Sequence, residues 1–140
     1  MFISRRKLTK LIREVMENRL DANQGELHQI RVGEVPIKAQ IVDDLPSRKK
    51  GLMFRQTMPD DEGMLFIHDT PDVCSYYMKN TYIPLSIAFA DEDGVIFQIE
   101  DMNPGDVNNV KSIQPALYAL EMNQGWFNNN NILIGNEIIF

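Results

Sequence analysis

Cysteine is nearly absent from this chain. Cys74 stands alone among 140 residues, so no internal disulfide forms and the fold rests on its apolar core. That suits a reducing compartment, although a domain without disulfides works in any compartment. Histidine is almost as scarce: His28 and His68 lie far apart in the sequence. HExxH, CxxC, GxSxG and a glycine-rich phosphate loop are all missing, which removes the familiar routes to zinc, thiol-redox, serine-hydrolase and nucleotide chemistry. No apolar run approaches the ~20 residues of a membrane-spanning helix. The N-terminus has no secretory leader pattern either, because Arg5, Arg6 and Lys7 are followed by Lys10, Arg13 and Glu14 instead of an apolar stretch. Basic residues thin out along the chain, and after Arg55 only Lys79 and Lys111 remain. A general nucleic-acid surface on the main domain is therefore not expected, since phosphate binding needs clustered Lys and Arg.

What is present suits one domain with a distinct N-terminal segment. A chain of this length buries enough surface to fold without a metal or disulfide staple. The net charge is −6, but residues 1–20 carry six basic against two acidic residues, and residues 21–140 carry eight against eighteen. Ser4 reads as an N-cap, and Leu8, Leu11, Ile12, Val15 and Met16 follow at helical spacing. This predicts a basic amphipathic helix and linker over 1–24 and a β domain over 25–140. The helix either docks on a partner through Arg5, Arg6, Leu8, Leu11, Ile12 and Val15 or packs back on its own acidic domain.

From Leu27 onward the pattern is β. Strands are expected at Gln29–Val32, Val35–Val42, Gly63–Ile67, Val73–Met78, Ile83–Ala90, Val95–Ile99, Ala116–Glu121, Ile132–Ile134 and Glu137–Phe140, with a helical turn opening at Ser47 and a loop or single helical turn over Gln124–Asn131. Short strands punctuated by turn signals argue for a mainly β (α+β) fold, a small antiparallel barrel-like or sandwich domain with short helices. Met53, Phe54, Met64, Phe66, Ile87 and Phe89 are its expected core.

Candidate chemistry is sparse. A Cys74–His68 nucleophile pair is conceivable across a turn, but nothing nearby in sequence lowers the thiol pKa, so a buried, inert Cys74 is the better reading. Asp60-Asp61-Glu62 and Asp91-Glu92-Asp93 read as solvated turns, with cation binding the weaker alternative. No metal, cofactor or catalytic set is predicted. Lys79 and Asn80 sit at a strand-to-loop junction, where a Lys can hold an anion and an Asn can orient a carbonyl. With Arg55 they form a candidate ligand site. The simpler alternative pairs Lys79 with a local carboxylate and gives Asn80 to a turn.

The order GLMFR, GMLF, MKNT, followed by a Pro-Leu run and an acidic turn with Gly, resembles the domain of unknown function 192 family. The C-terminal LEMNQGW and IGNEIIF resemble the family's ending, and the likeness covers roughly residues 35–140. The matched positions are Arg48, Gly51, Leu52, Met53, Arg55, Gly63, Met64, Met78, Lys79, Asn80, Thr81, Pro84, Leu85 and Glu121. The resemblance implies a mostly antiparallel barrel-like domain and no particular reaction. Tyr77 stands where family members commonly carry Trp, and Ser86 where Asp is common. If that Asp served a metal or a proton transfer, this chain has lost the role. The N-terminal ISRRKLTKLIRE is similar to short basic helices that begin many small proteins of marine tailed phages.

Two functions follow as expectations. The first is a non-catalytic binding or structural module, cytoplasmic or virion-associated, docked to a protein partner such as a viral particle through its N-terminal helix. The second is a small-ligand-binding or enzymatic domain with a polar site around Arg55, Lys79 and Asn80.

Overall fold

The computed structural model describes residues 26–140. The predicted N-terminal helix, with Arg5, Arg6, Leu8, Leu11, Ile12 and Val15, lies outside the described residues. Eleven elements follow: β1 (Leu27–Val32), β2 (Val35–Val42), α1 (Leu45–Lys50), β3 (Glu62–Asp72), β4 (Ser75–Tyr76), β5 (Leu85–Ala90), β6 (Ile96–Met102), β7 (Val110–Lys111), β8 (Ala116–Asn123), α2 (Trp126–Asn129) and β9 (Ile138–Ile139). Seven strands form one sheet in the order β6-β5-β8-β3-β2-β1-β9, and β4 pairs with β7 in a small second sheet. The large sheet curls into a half-barrel, in line with the expected mainly β fold. Its pairs are antiparallel except β2–β3, which run parallel. A parallel pair needs a crossover connection, and residues 43–61, with α1 among them, supply it.

Residues 63–67 of β3, all of β5 and residues 116–122 of β8 are buried on both faces, and their alternation divides the core in two. Leu65 and Ile67 of β3, Ala88 and Ala90 of β5, and Leu120 and Met122 of β8 point into one apolar layer. Met64 and Phe66, Ile87 and Phe89, and Ala119 point into the other, where they meet Leu52, Met78 and Leu85. By the same period of two, Glu121 shares the second layer with Ala119. Its sheet neighbours are Met64 of β3 and Ile87 of β5, both apolar residues of that layer. At this crossing β3 and β8 approach so closely that a side chain on Gly63 would collide with the Met122 sulfur and stand 2.6 Å from the Glu121 carbonyl oxygen.

The local signals explain α1. Asp44 caps it by accepting from the Ser47 amide at 2.8 Å, and Pro46 occupies its first turn. The helix therefore begins two residues before the predicted Ser47. Gly51 ends it at φ 49°, a backbone that L side chains rarely adopt.

Several expectations are corrected. Phe54 is not core: it follows the Gly51 turn at φ 68°, its amide donates to the Asn80 carbonyl, and its ring is 60% exposed against Tyr82. Met53 is only half-buried, whereas Met64, Phe66, Ile87 and Phe89 are buried as expected. The segment 132–134 is a turn and not a strand, with Leu133 and Ile134 exposed. Over 73–78 Cys74, Tyr76 and Met78 alternate inward as a strand does, but only Ser75–Tyr76 pairs, because its partner β7 is two residues long.

Ser86 has a structural role where the family commonly has Asp. Its hydroxyl donates to Asp101 at 2.7 Å and accepts from the Gly125 amide at 3.0 Å, fastening the turn into α2 to the sheet. Asp91 likewise serves its own turn, accepting from the Asp93 and Val95 amides, and Asp60 accepts from Asn123. Among the described residues no helix is long and apolar enough to cross a membrane.

Candidate ligand-binding site

The second core layer is not filled to its edge. Between α1, β3, β4 and β8 it opens into a cavity of about 350 Å³, within the size range of small-molecule sites. Leu52, Phe66, Met78 and Leu85 form apolar walls, and Arg48, His68, Asp72, Cys74, Ser75, Tyr76, Thr81 and Glu121 supply polar groups. Lys49, Lys50 and Tyr77 belong to the same wall and are exposed. The basic triplet lies in the last turn of α1, where the helix dipole favours positive charge. Arg48 is fixed by its Nη1, which donates to the carbonyls of Asp43 at 2.9 Å and Ile67 at 3.0 Å.

His68, Cys74 and Tyr76 form one cluster. The Tyr76 hydroxyl lies 2.8 Å and the Cys74 Sγ 3.3 Å from His68 Nε2, with the donor set by the histidine tautomer. The pair that was conceivable from sequence is thus formed, but it is not activated. Burial, reinforced by the Arg48 charge, lowers the His68 pKa and keeps the ring neutral. Burial and the nearby Asp72 push the Cys74 thiol up to about 11, and the thiol donates to the Asp72 carbonyl at 3.1 Å. A thiolate nucleophile needs the opposite shift. Tyr76 is also raised, chiefly by burial.

Glu121 is the most unusual group in the cavity. It is 5% exposed, and its carboxyl makes no hydrogen bond to any described residue. Desolvation alone pushes its pKa up to about 8, so at neutral pH the majority form is the protonated acid, a hydrogen-bond donor aimed at unfilled space. Every cavity group that titrates with a shift is therefore uncharged at neutral pH, and the positive charge sits on α1.

The predicted Arg55, Lys79 and Asn80 are exposed and stand outside the cavity lining. Their loops do meet, through the Phe54 amide on the Asn80 carbonyl at 2.9 Å. Met78 and Thr81, on either side of Lys79 and Asn80, line the cavity, as does Met53. The Arg55 guanidinium donates to Gln40 Oε1 at 2.6 Å. Of the fourteen positions that carry the family resemblance, Arg48, Gly51, Leu52, Met53, Met78, Thr81, Leu85 and Glu121 all line this cavity. Residue-by-residue reading weighs His68 only as a partner of Cys74 and misses Tyr76 and Glu121 as site groups. For Glu121 a signal existed: a lone carboxylate inside the apolar run ALYALEM, which must bury on both faces. Among the described residues no cluster of three His, Cys, Asp or Glu side chains forms a metal site.

A family model described as "Uncharacterized ACR", the domain of unknown function 192, matches residues 28–140. A crystal structure of a protein of unknown function from Novosphingobium aromaticivorans is 28% identical, with a TM-score of 0.80, covering 85% of this chain and 89% of that one. A protein from Sinorhizobium meliloti, provisionally described as a transcription regulator, is 29% identical with a TM-score of 0.76, covering 83% of this chain and 96% of its own. No curated protein matches the chain.

Proposed function

The chain belongs to the domain of unknown function 192 family over residues 28–140, and we propose that it is a small-ligand-binding module whose site is the cavity between α1 and Glu121. One observation carries the reading: a buried carboxyl, without a hydrogen-bond partner among the described residues, lines a cavity large enough for a small molecule. Among the described residues the only fully enclosed side-chain polar atom without a partner is His28 Nε2, so the Glu121 oxygens are open to the cavity, where a ligand acceptor replaces water. Binding is favoured over catalysis because the Cys74–His68 pair is held in its unreactive form. Arg55, Lys79 and Asn80 enter as rim residues that extend the positive side of the entrance. A regulator role like that given to the Sinorhizobium protein has little support, since residues 26–140 hold eight basic against seventeen acidic residues.

A fragment screen read by amide NMR shifts tests the site. Shifts are expected at Leu52, Tyr76 and Glu121. Ser75→Trp, an exposed wall position that tolerates a larger residue, is expected to abolish them without lowering stability. Fragment binding elsewhere, or binding indifferent to Ser75→Trp, would contradict the proposal.

A second reading concerns the N-terminal segment, and the stripe Leu8, Leu11, Ile12 and Val15 beside Arg5 and Arg6 favours it. Here the segment tethers the ligand-binding domain to a protein assembly, such as a virion. Removing residues 1–20 is then expected to leave the melting temperature unchanged and to abolish co-purification with the assembly. A fall of several degrees with no change in association would mean that the segment belongs to its own domain.

A further inference from the structure

We infer that the cavity takes a small carboxylate carrying a second oxygen acceptor, an oxo or hydroxy acid with an apolar body, its anion at the Arg48–Lys50 wall and its acceptor on Glu121. The inference rests on the ligand-binding reading above and adds the ligand class. Three features specify that class. Among the described residues the domain is acidic overall, yet three of its eight basic residues form one wall of this cavity against a single exposed carboxylate, Asp72, so an anion is favoured here and repelled over most of the remaining surface. The acid of Glu121 is set apart from that wall: it stands on β8 between Met64 and Ile87 of the neighbouring strands, whereas Arg48 is held on α1 to the Asp43 and Ile67 carbonyls. The two recognition points therefore address different ends of one ligand. Between them lie Phe66, Leu52, Met78 and Leu85, which suit a hydrocarbon or aromatic body. The Tyr76 hydroxyl is already engaged with His68, the Cys74 thiol with the Asp72 carbonyl and the Thr81 hydroxyl with the Lys79 carbonyl, and Ser75 and Tyr77 are exposed, which leaves Glu121 as the buried donor of the lining without a protein acceptor.

Affinities of three probes separate these parts: 4-oxo-4-phenylbutanoate, its primary amide, and 4-phenylbutanoate. The oxo acid is expected to bind best. Loss of the anion in the amide is expected to weaken binding about fivefold or more, the scale of two exposed charge contacts. Lys49→Glu with Lys50→Glu, both at exposed positions, is expected to erase that difference. Loss of the oxo group is expected to cost about tenfold. Glu121→Leu is expected to erase that second difference, and Glu121→Gln, which keeps a donor, to preserve it. An amide that binds as well as the acid, or an oxo preference that survives Glu121→Leu, would overturn the inference. If all three probes fail while fragments still bind in a manner blocked by Ser75→Trp, the ligand class is wrong and the site stands. If no fragment binds, the site itself is wrong.

Discussion

Phe66→Ala is expected to lower the free energy of unfolding by about 3–5 kcal/mol. Phe66 is 1% exposed and sits at the centre of the second core layer. Its ring packs edge-on to Tyr76 at 5.1 Å between centroids and closes against Gly51, where an added Cβ would stand 3.6 Å from the ring. The ring also walls the ligand cavity. Deleting it joins new empty volume to space that is already unfilled, and β2, β3 and β8 cannot collapse into that space without breaking the sheet register. The upper half of the range is therefore expected. Chemical denaturation measures the change, and a loss below about 1 kcal/mol would show that the layer around the cavity adds little to the stability of the fold.

The second large effect depends on pH. In the unfolded chain the Glu121 carboxyl has the ordinary value of 4.5, and burial in the folded protein pushes it up to about 8. Between these values the folded protein retains a proton that the unfolded chain has released. Raising the pH through this window therefore favours unfolding, and the loss is complete once the pH exceeds 8. The shift corresponds to a loss of about 5 kcal/mol at most, at ~1.4 kcal/mol per pH unit. The comparison is with Glu121→Gln, which fills the same space without titrating, so that contributions from all other groups cancel. The wild-type protein is expected to lose stability relative to Glu121→Gln between pH 5 and pH 9. Parallel stability curves would mean that Glu121 is solvated or paired in the folded state.

The fold was largely legible because alternation and turn residues act locally. The sequence pattern marks Val35–Val42 to the residue, and the apolar run GMLFI marks the first half of β3. Its extension to Asp72 was not visible, because the added pairing at Ala116 lies beyond a register shift. Phe54 was misread because hydrophobicity suggests burial, whereas the Gly51 turn and the Asn80 carbonyl fix its backbone in a conformation that turns the ring outward. The site was legible only in part. Arg55, Lys79 and Asn80 drew attention as scarce polar groups in motifs, and their neighbours Met53, Met78 and Thr81 reach the cavity. Glu121, His68 and Tyr76 come from three strands and meet only once β4 folds over β3, a contact that sequence order does not contain. Ser86 shows the converse: a family position that suggests chemistry is occupied here by a hydroxyl that secures a turn.

Glu121 presents a neutral carboxylic acid to the cavity. The most direct test is a carbon-13 NMR titration of the Glu121 side-chain carboxyl in the intact protein. The account predicts a midpoint near 8 and a change in that carboxyl signal when 4-oxo-4-phenylbutanoate is added. A midpoint between 4 and 5, in the ordinary range for Glu, with no response to the oxo acid, would contradict it.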